Sequence, residues 1–326
     1  MPIEPGSILD IIKDHARARL FTDPIVWRQD QPRLLGCRFV PENIAHTGEH
    51  KDGGPAGVAE GSIPTQTSTE IPKVLARRIL IANNLRVLDD KALSIQNLLR
   101  TYGIYALNFR KAYIRTDEMY GVGSDGPTLF LAYLELDTVN TLRRRHIFHR
   151  KRIDRENPEV VRLHEKKLSA VRPPNPVEDP YIVATMIGLA QKMRFEAQQK
   201  VAKGAQDASA QTPSSEKVEA GHDSASSFKV RLLVLPETSS YAPYLYVYKA
   251  TVTASFLDKF ADISRFSPSP PLEIKYHALS ILDSKKFVRL FPVVLELSDP
   301  ATPGAVPSAR TAQEDQKDGT EKPKQE

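Results

Sequence analysis

Cys37 is the only cysteine in 326 residues. It cannot close an intrachain disulfide, so no covalent cross-link stabilises the fold and an oxidising extracellular home is disfavoured. No segment approaches the roughly 20 apolar residues of a membrane span. The opening MPIEPGSILD carries acids and prolines where a secretory signal needs a basic end and an apolar run. These absences predict a soluble intracellular protein, cytoplasmic or nuclear, with no membrane partner. Familiar catalytic spellings are missing too: G-x-S-x-G, H-E-x-x-H, Gly-Lys-Ser/Thr, P-C-x-x-C, H-R-D and D-F-G do not occur. Neither sign of charge dominates, since 45 Lys and Arg against 40 Asp and Glu leave a formal +5. Over this length that excess does not by itself specify a polyanion partner.

What is present is core material. Apolar residues make up 40% of the chain, enough for one large or two ordinary domains. Ser7 with Asp10 reads as a capping box for a helix through about Leu20, and residues 23–41 read as an irregular stretch with a short strand. Helical spacing of Val74, Leu75, Ile79, Leu80, Leu93, Ile95, Leu98 and Leu99 covers 71–100 in two pieces. Two strands follow, IYALNFRKAYIR at 104–115 and the continuously apolar LFLAYLEL at 129–136, and then a basic helical run from about Val139. Asp179 as N-cap and Pro180 at the first helical position open a further helix whose Ile182, Val183, Met186, Leu189 and Ala190 share a face. FKVRLLVLP and YLYVYKATV read as a hairpin, ASFLDKF as a short helix, and LEIKYHAL as a half-buried strand with His277 outward. FVRLFPVVLEL, split by Pro292, fits helix or strand.

The expected fold class is therefore α/β, more narrowly α+β: two αββα-like parts with small, mostly antiparallel sheets. The expected divisions are an N-terminal helix and irregular segment at 1–45, a Gly-rich flexible loop at 46–70, a first part at 71–165 and a proline-rich linker at 166–178. A second part follows at 179–299, carrying a disordered insertion at 201–227, and a disordered tail runs from 300 to 326.

Gly121, Gly123 and Gly126 spell G-x-G-x-x-G. In a dinucleotide site the last glycine opens a helix whose N-terminus holds the phosphates. Here Pro127 and a strand follow, so the glycines read as a strand connection and no cofactor is expected. His146 and His149 are spaced H-x-x-H with His164 further on, but they sit among arginines, and no metal is expected there.

Asp125, Glu135 and Asp137 bracket the apolar strand and resemble the D…E-x-K pattern by which restriction-endonuclease-like nucleases hold a divalent metal. Asp137 stands where that pattern wants lysine. In the second half Lys249 falls on a strand, but Val247 occupies the partner acid's place and Glu237 is the nearby candidate for the first acid. Outside that resemblance no catalytic residue is assigned.

The densest charge lies in RRRHIFHRKRIDR at 143–155, where six of the ten residues 143–152 are basic: Arg143, Arg144, Arg145, Arg150, Lys151 and Arg152. Such a run attracts phosphates through counterion release, and it is also the kind of peptide an import receptor reads. It can equally be a solvated helix face balanced by Asp154, Glu156, Glu159 and Glu165.

PYIVATMIGLAQ, FKVRLLVLPE, YLYVYKATV and ASFLDKF followed by Ser-Arg-Phe-Ser-Pro resemble a run found in a set of uncharacterised filamentous-fungal proteins with no assigned activity. The resemblance lies over 180–268 and implies a fungal origin. The leading functional expectation is a non-enzymatic intracellular protein-interaction module with an unidentified protein partner. The alternative is a nucleic-acid-binding or degenerate nuclease-like protein using 143–152.

Overall fold

A computed structural model describes residues 2–42, 72–79, 88–102, 104–106, 118–122, 130–148, 157–208, 227–237 and 243–296. The expected loop at 46–70, the tail at 300–326 and most of the insertion at 209–226 lie outside these residues.

The protein is mixed α/β, and all seven described strands form one sheet in the order β1-β7-β6-β5-β4-β3-β2. They are β1 (Cys37–Pro41), β2 (Ile104–Ala106), β3 (Glu118–Val122), β4 (Phe130–Glu135), β5 (Ser227–Leu235), β6 (Tyr244–Thr253) and β7 (Leu272–Ser280). The two expected small sheets are joined by a parallel seam between β4 and β5, with Phe130 opposite Val230 and Glu135 opposite Leu235. The reason is in the strands themselves. Ala132 and Leu134 face one side and Leu131 and Tyr133 the other, all buried, so β4 needs cover on both faces and a partner on each edge. β5, with buried Val230 to Leu235, has the same need. A second parallel pair joins β1 to β7.

Helices cover both faces. On one side α5 (Leu136–Ile147), α7 (Pro180–Ala208) and α8 (Ala254–Ala261) pack with the N-terminal segment, which holds α1 (Ile8–Asp14) and α2 (Asp30–Leu34). On the other, α3 (72–79), α4 (Leu88–Thr101) and α9 (Ser284–Val294) pack against Leu131, Tyr133, Leu233, Leu235, Leu245, Val247 and Leu279. α6 (Pro158–Val171) follows α5, capped by Asn157. Among the described residues no helix is long and apolar enough to cross a membrane.

Several local expectations change. The strand β3, carrying Gly121, has no strand signal in the sequence, and it pairs antiparallel with β4, Tyr120 opposite Leu131. Gly121 thus lies within a strand, and Gly123 and Gly126 are outside the described residues. Residues 201–208 continue α7 instead of opening an insertion, and 166–171 complete α6 instead of a linker. The proline-rich remainder is pinned to the sheet: the Tyr248 hydroxyl donates to the Val177 carbonyl at 2.5 Å and the Tyr276 hydroxyl to Glu178 at 3.2 Å. α9 is a helix despite Pro292. A proline there has no N–H for the Val288 carbonyl, and Tyr102 Oη donates to that carbonyl at 3.4 Å instead.

Cys37 is buried at the start of β1, and burial raises its thiol to about 12. A protonated, enclosed thiol is a poor nucleophile. Native protein at pH 8 is therefore expected to resist a thiol-exchange reagent and to label fully in urea, so that labelling tracks unfolding. Rapid labelling of the native state would contradict the burial.

Candidate polyanion-binding basin

The N-terminal segment is short of regular structure, so its shape depends on side chains that tie its turns together. Asp23 caps the turn at Pro24–Val26 by accepting from the Ile25 amide at 3.1 Å, and Trp27 Nε1 donates to the Thr22 carbonyl at 3.2 Å. Gln31, 2% exposed, is the central strut. Its Nε2 donates to the Ala18 carbonyl and its Oε1 accepts from the Arg28 amide, both at 2.7 Å. Arg19 holds a left-handed conformation at φ 48, a costly state for a residue with a Cβ. The net effect is to hold the stretch carrying Arg17 and Arg19 beside the one carrying Arg28.

This segment is fastened to the helices by Arg143. The side chain, 1% exposed, donates through Nε to the Ile25 carbonyl at 3.0 Å and through both terminal nitrogens to the Asp179 carboxylate at 2.6 Å each. Asp179 also accepts from the Tyr181 amide at 2.8 Å, the N-cap role expected of it. Arg143 is therefore removed from the expected polyanion contacts. It lies on the buried stripe Leu136, Val139 and Arg143 of α5, a spacing that points the side chain at the core.

Where α5 ends, the Phe148 ring meets the His164 ring of α6 edge-on at 5.1 Å between centroids, which docks α6 alongside. The outcome is a hollow of about 540 Å³ lined by Arg17, Arg19, Arg28, His146 and Lys167, with Gln31 among its walls. The side chains of Arg17, Arg19, Arg28 and Lys167 make no hydrogen bond or ion pair with any described residue. One carboxylate, Asp30, lines the same hollow, and it already faces Arg33 at 3.2 Å. His146 stands 3.7 Å from Asp23. Arg144 and Arg145 are exposed on the last turn of α5, where the carbonyl end of the helix favours cations. Arg150, Lys151 and Arg152, like His149, lie outside the described residues. The α5 end of this basin is legible in the sequence, whereas Arg17, Arg19, Arg28 and Lys167 are not marked there by any run of charge.

The acidic set falls elsewhere. Glu135 is buried at the end of β4, accepting from the Tyr133 hydroxyl at 2.7 Å, and Asp137 follows in the first turn of α5. Lys91 of α4, 1% exposed, places Nζ 3.6 Å from Glu135 and 3.9 Å from Asp137. Two of the three expected carboxylates thus meet at a lysine from another element, and Asp125 is outside the described residues. Among the described residues no three His, Cys, Asp or Glu side chains are grouped to hold a metal ion. Glu237 instead accepts from the Asn140 amide, and Lys249 lies on the opposite half of the sheet with Glu42 and Glu296.

No protein-family model, curated protein or solved structure matches this chain.

Proposed function

We propose that the chain is a binding protein whose basin takes the phosphate backbone of nucleic acid. The observation that carries this reading is the set of four cations, Arg17, Arg19, Arg28 and Lys167, that line one hollow and make no ion pair with a described residue. All four are exposed, so water and salt screen their mutual repulsion, and a polyanion lying across them gains the attraction of each. The exposed Arg144 and Arg145 extend the positive surface along α5, toward the part of the chain that holds Arg150, Lys151 and Arg152. Among the described residues no Phe, Tyr or Trp lines the basin. Binding is therefore to phosphates, without base stacking, and is tolerant of sequence. The same basic run serves as an import signal in this reading, which puts the protein in the nucleus. In a fluorescence-anisotropy titration, mixed-sequence duplex DNA or RNA should bind the wild type and bind the folded R17Q/R19Q/R28Q/K167Q variant far more weakly.

A second reading, a degenerate restriction-endonuclease-like protein, draws on the meeting of Glu135, Asp137 and Lys91 at the end of β4. Magnesium-dependent nicking of plasmid DNA, abolished in E135Q with binding retained, is the result that reading requires. Intact plasmid with the wild type at high enzyme concentration counts against it.

A further inference from the structure

The sheet face covered by α3, α4 and α9 is apolar over only part of its area. Beyond Leu233, Val247 and Leu279 the same face of β5, β6 and β7 turns cationic. Arg231 is paired directly opposite Lys249, and Lys249 directly opposite Lys275, so three cations stand side by side across three strands. Like charges directly opposite each other on a sheet are destabilising, and apolar residues would continue the neighbouring core. Two carboxylates hold the row together. Glu296 bridges Arg231 Nη2 and Lys249 Nζ at 3.0 Å each. Glu42 lies 2.8 Å from Lys275 Nζ, 3.9 Å from Lys249 Nζ and 2.9 Å from Nε2 of His277, which is buried here and not outward as the strand pattern implies.

Glu296 is the less firmly built of the two. It follows α9, is half exposed, and reaches its position with φ at 51, a left-handed conformation that a residue with a Cβ adopts at a cost. Arg231 is 7% exposed and its Nε, fully buried, has no hydrogen-bond partner among the described residues. Around the row lies an open hollow of about 610 Å³, walled also by Lys229, Thr251, Pro270, Pro271 and Glu273, whose carboxylate is paired with Arg38. The Lys229 side chain makes no ion pair with a described residue. Burial pushes the Glu296 carboxyl up, but the hydrogen bond from Lys249 and the charges of Lys249 and Arg231 outweigh it and bring it below the ordinary range. Glu296 therefore sits in these cations as an ionised, bridging anion.

We infer that the row Arg231, Lys249 and Lys275 is a binding site for the phosphate group of a small phosphorylated molecule, and that the Glu296 carboxylate occupies the phosphate's place when the site is empty. A phosphate dianion spans Arg231 and Lys249 as the carboxylate does, and its additional charge and oxygen reach toward Lys275 and Lys229. The hollow has the volume of a site for a small ligand. This site is separate from the basin between α5, α6 and the N-terminal segment and does not depend on it.

The test uses the full chain carrying R17Q/R19Q/R28Q/K167Q, so that the basin contributes nothing, and inorganic pyrophosphate as the probe in calorimetric titration at constant ionic strength. Glu296→Gly removes the internal carboxylate and suits the left-handed backbone, so it is the variant expected to stay folded. It should bind pyrophosphate tighter than the Glu296 parent, by on the order of tenfold, because the competing intramolecular anion is gone. Adding Lys249→Gln should abolish that binding. Equal affinity with glycine or glutamate at 296, no binding in either, or acetate binding as tightly as pyrophosphate overturns the inference. Should the Gly variant fail to fold by circular dichroism, Glu296→Gln is judged by the same criteria.

Discussion

Replacing Arg143 with alanine is expected to destabilise the protein by about 3–5 kcal/mol, the range for breaking a buried ion pair by removing one partner. The size follows from what stays behind. Asp179 is 3% exposed and would keep a charge with no cation facing it. The amide of Tyr181 would still donate to it, a single neutral hydrogen bond in place of a bidentate ion pair. The Ile25 carbonyl would lose the Nε donor that ties the N-terminal segment to α5. Arg143→Met combined with Asp179→Asn should recover much of the loss, because a neutral amide oxygen can still cap α7 while no charge is left buried and unpaired. Urea unfolding monitored by circular dichroism reads both variants. A loss below about 1 kcal/mol for Arg143→Ala, the range of an exposed pair, would mean that Arg143 is a surface cation and that α5 is turned differently.

Arg143 also shows where sequence reading succeeds and where it stops. The N-cap at Asp179 and the apolar face of α7 are readable because both signals are local: a carboxylate just before a proline, then apolar residues at helical spacing. The burial of Arg143 is encoded just as locally, in the spacing with Leu136 and Val139, but the density of charge around it points the reading toward solvent. Lys91 is a parallel case, sharing a stripe with Ser94, Ile95 and Leu98 that the structure buries. A strongly polar residue on an apolar stripe marks a buried pair, and the partner is supplied by tertiary structure.

What is not readable is of a different kind. The continuous apolarity of β4 and β5 announces two-sided burial, but nothing in either strand specifies that they pair with each other across nearly a hundred residues. β3 is short, contains a glycine and lacks alternation, so its pairing with β4 decides its state. His277 reads as the outward residue of an alternating strand, but it is buried beside Glu42, which directly follows β1, and near Lys249 of β6. The basin is the extreme case. Arg17, Arg19 and Arg28, His146, and Lys167 come from three separated stretches, none of them dense in charge except the one at 143–152, and Gln31 organises the first of them through two backbone contacts.

The largest functional effect is expected from that basin. Every cation withdrawn from a phosphate should lower the slope of log affinity against log salt by about 0.7–0.9. Removing Arg17, Arg19, Arg28 and Lys167 together should reduce the slope by roughly 3, equivalent to a loss on the order of a thousandfold at about 0.1 M salt. Because these side chains carry no hydrogen bond or ion pair with described residues, the four substitutions should leave the urea midpoint near that of the wild type. Their aliphatic stems do cover some apolar surface, so the midpoint is measured alongside.

The most direct test of the account is therefore the salt dependence of nucleic-acid binding, measured by anisotropy between about 50 and 200 mM salt, for the wild type and for R17Q/R19Q/R28Q/K167Q. The account predicts a steep slope for the wild type that falls by roughly 3 in the variant at unchanged stability. Equal slopes for the two proteins, or a wild type that binds neither DNA nor RNA at the low-salt end, would contradict it.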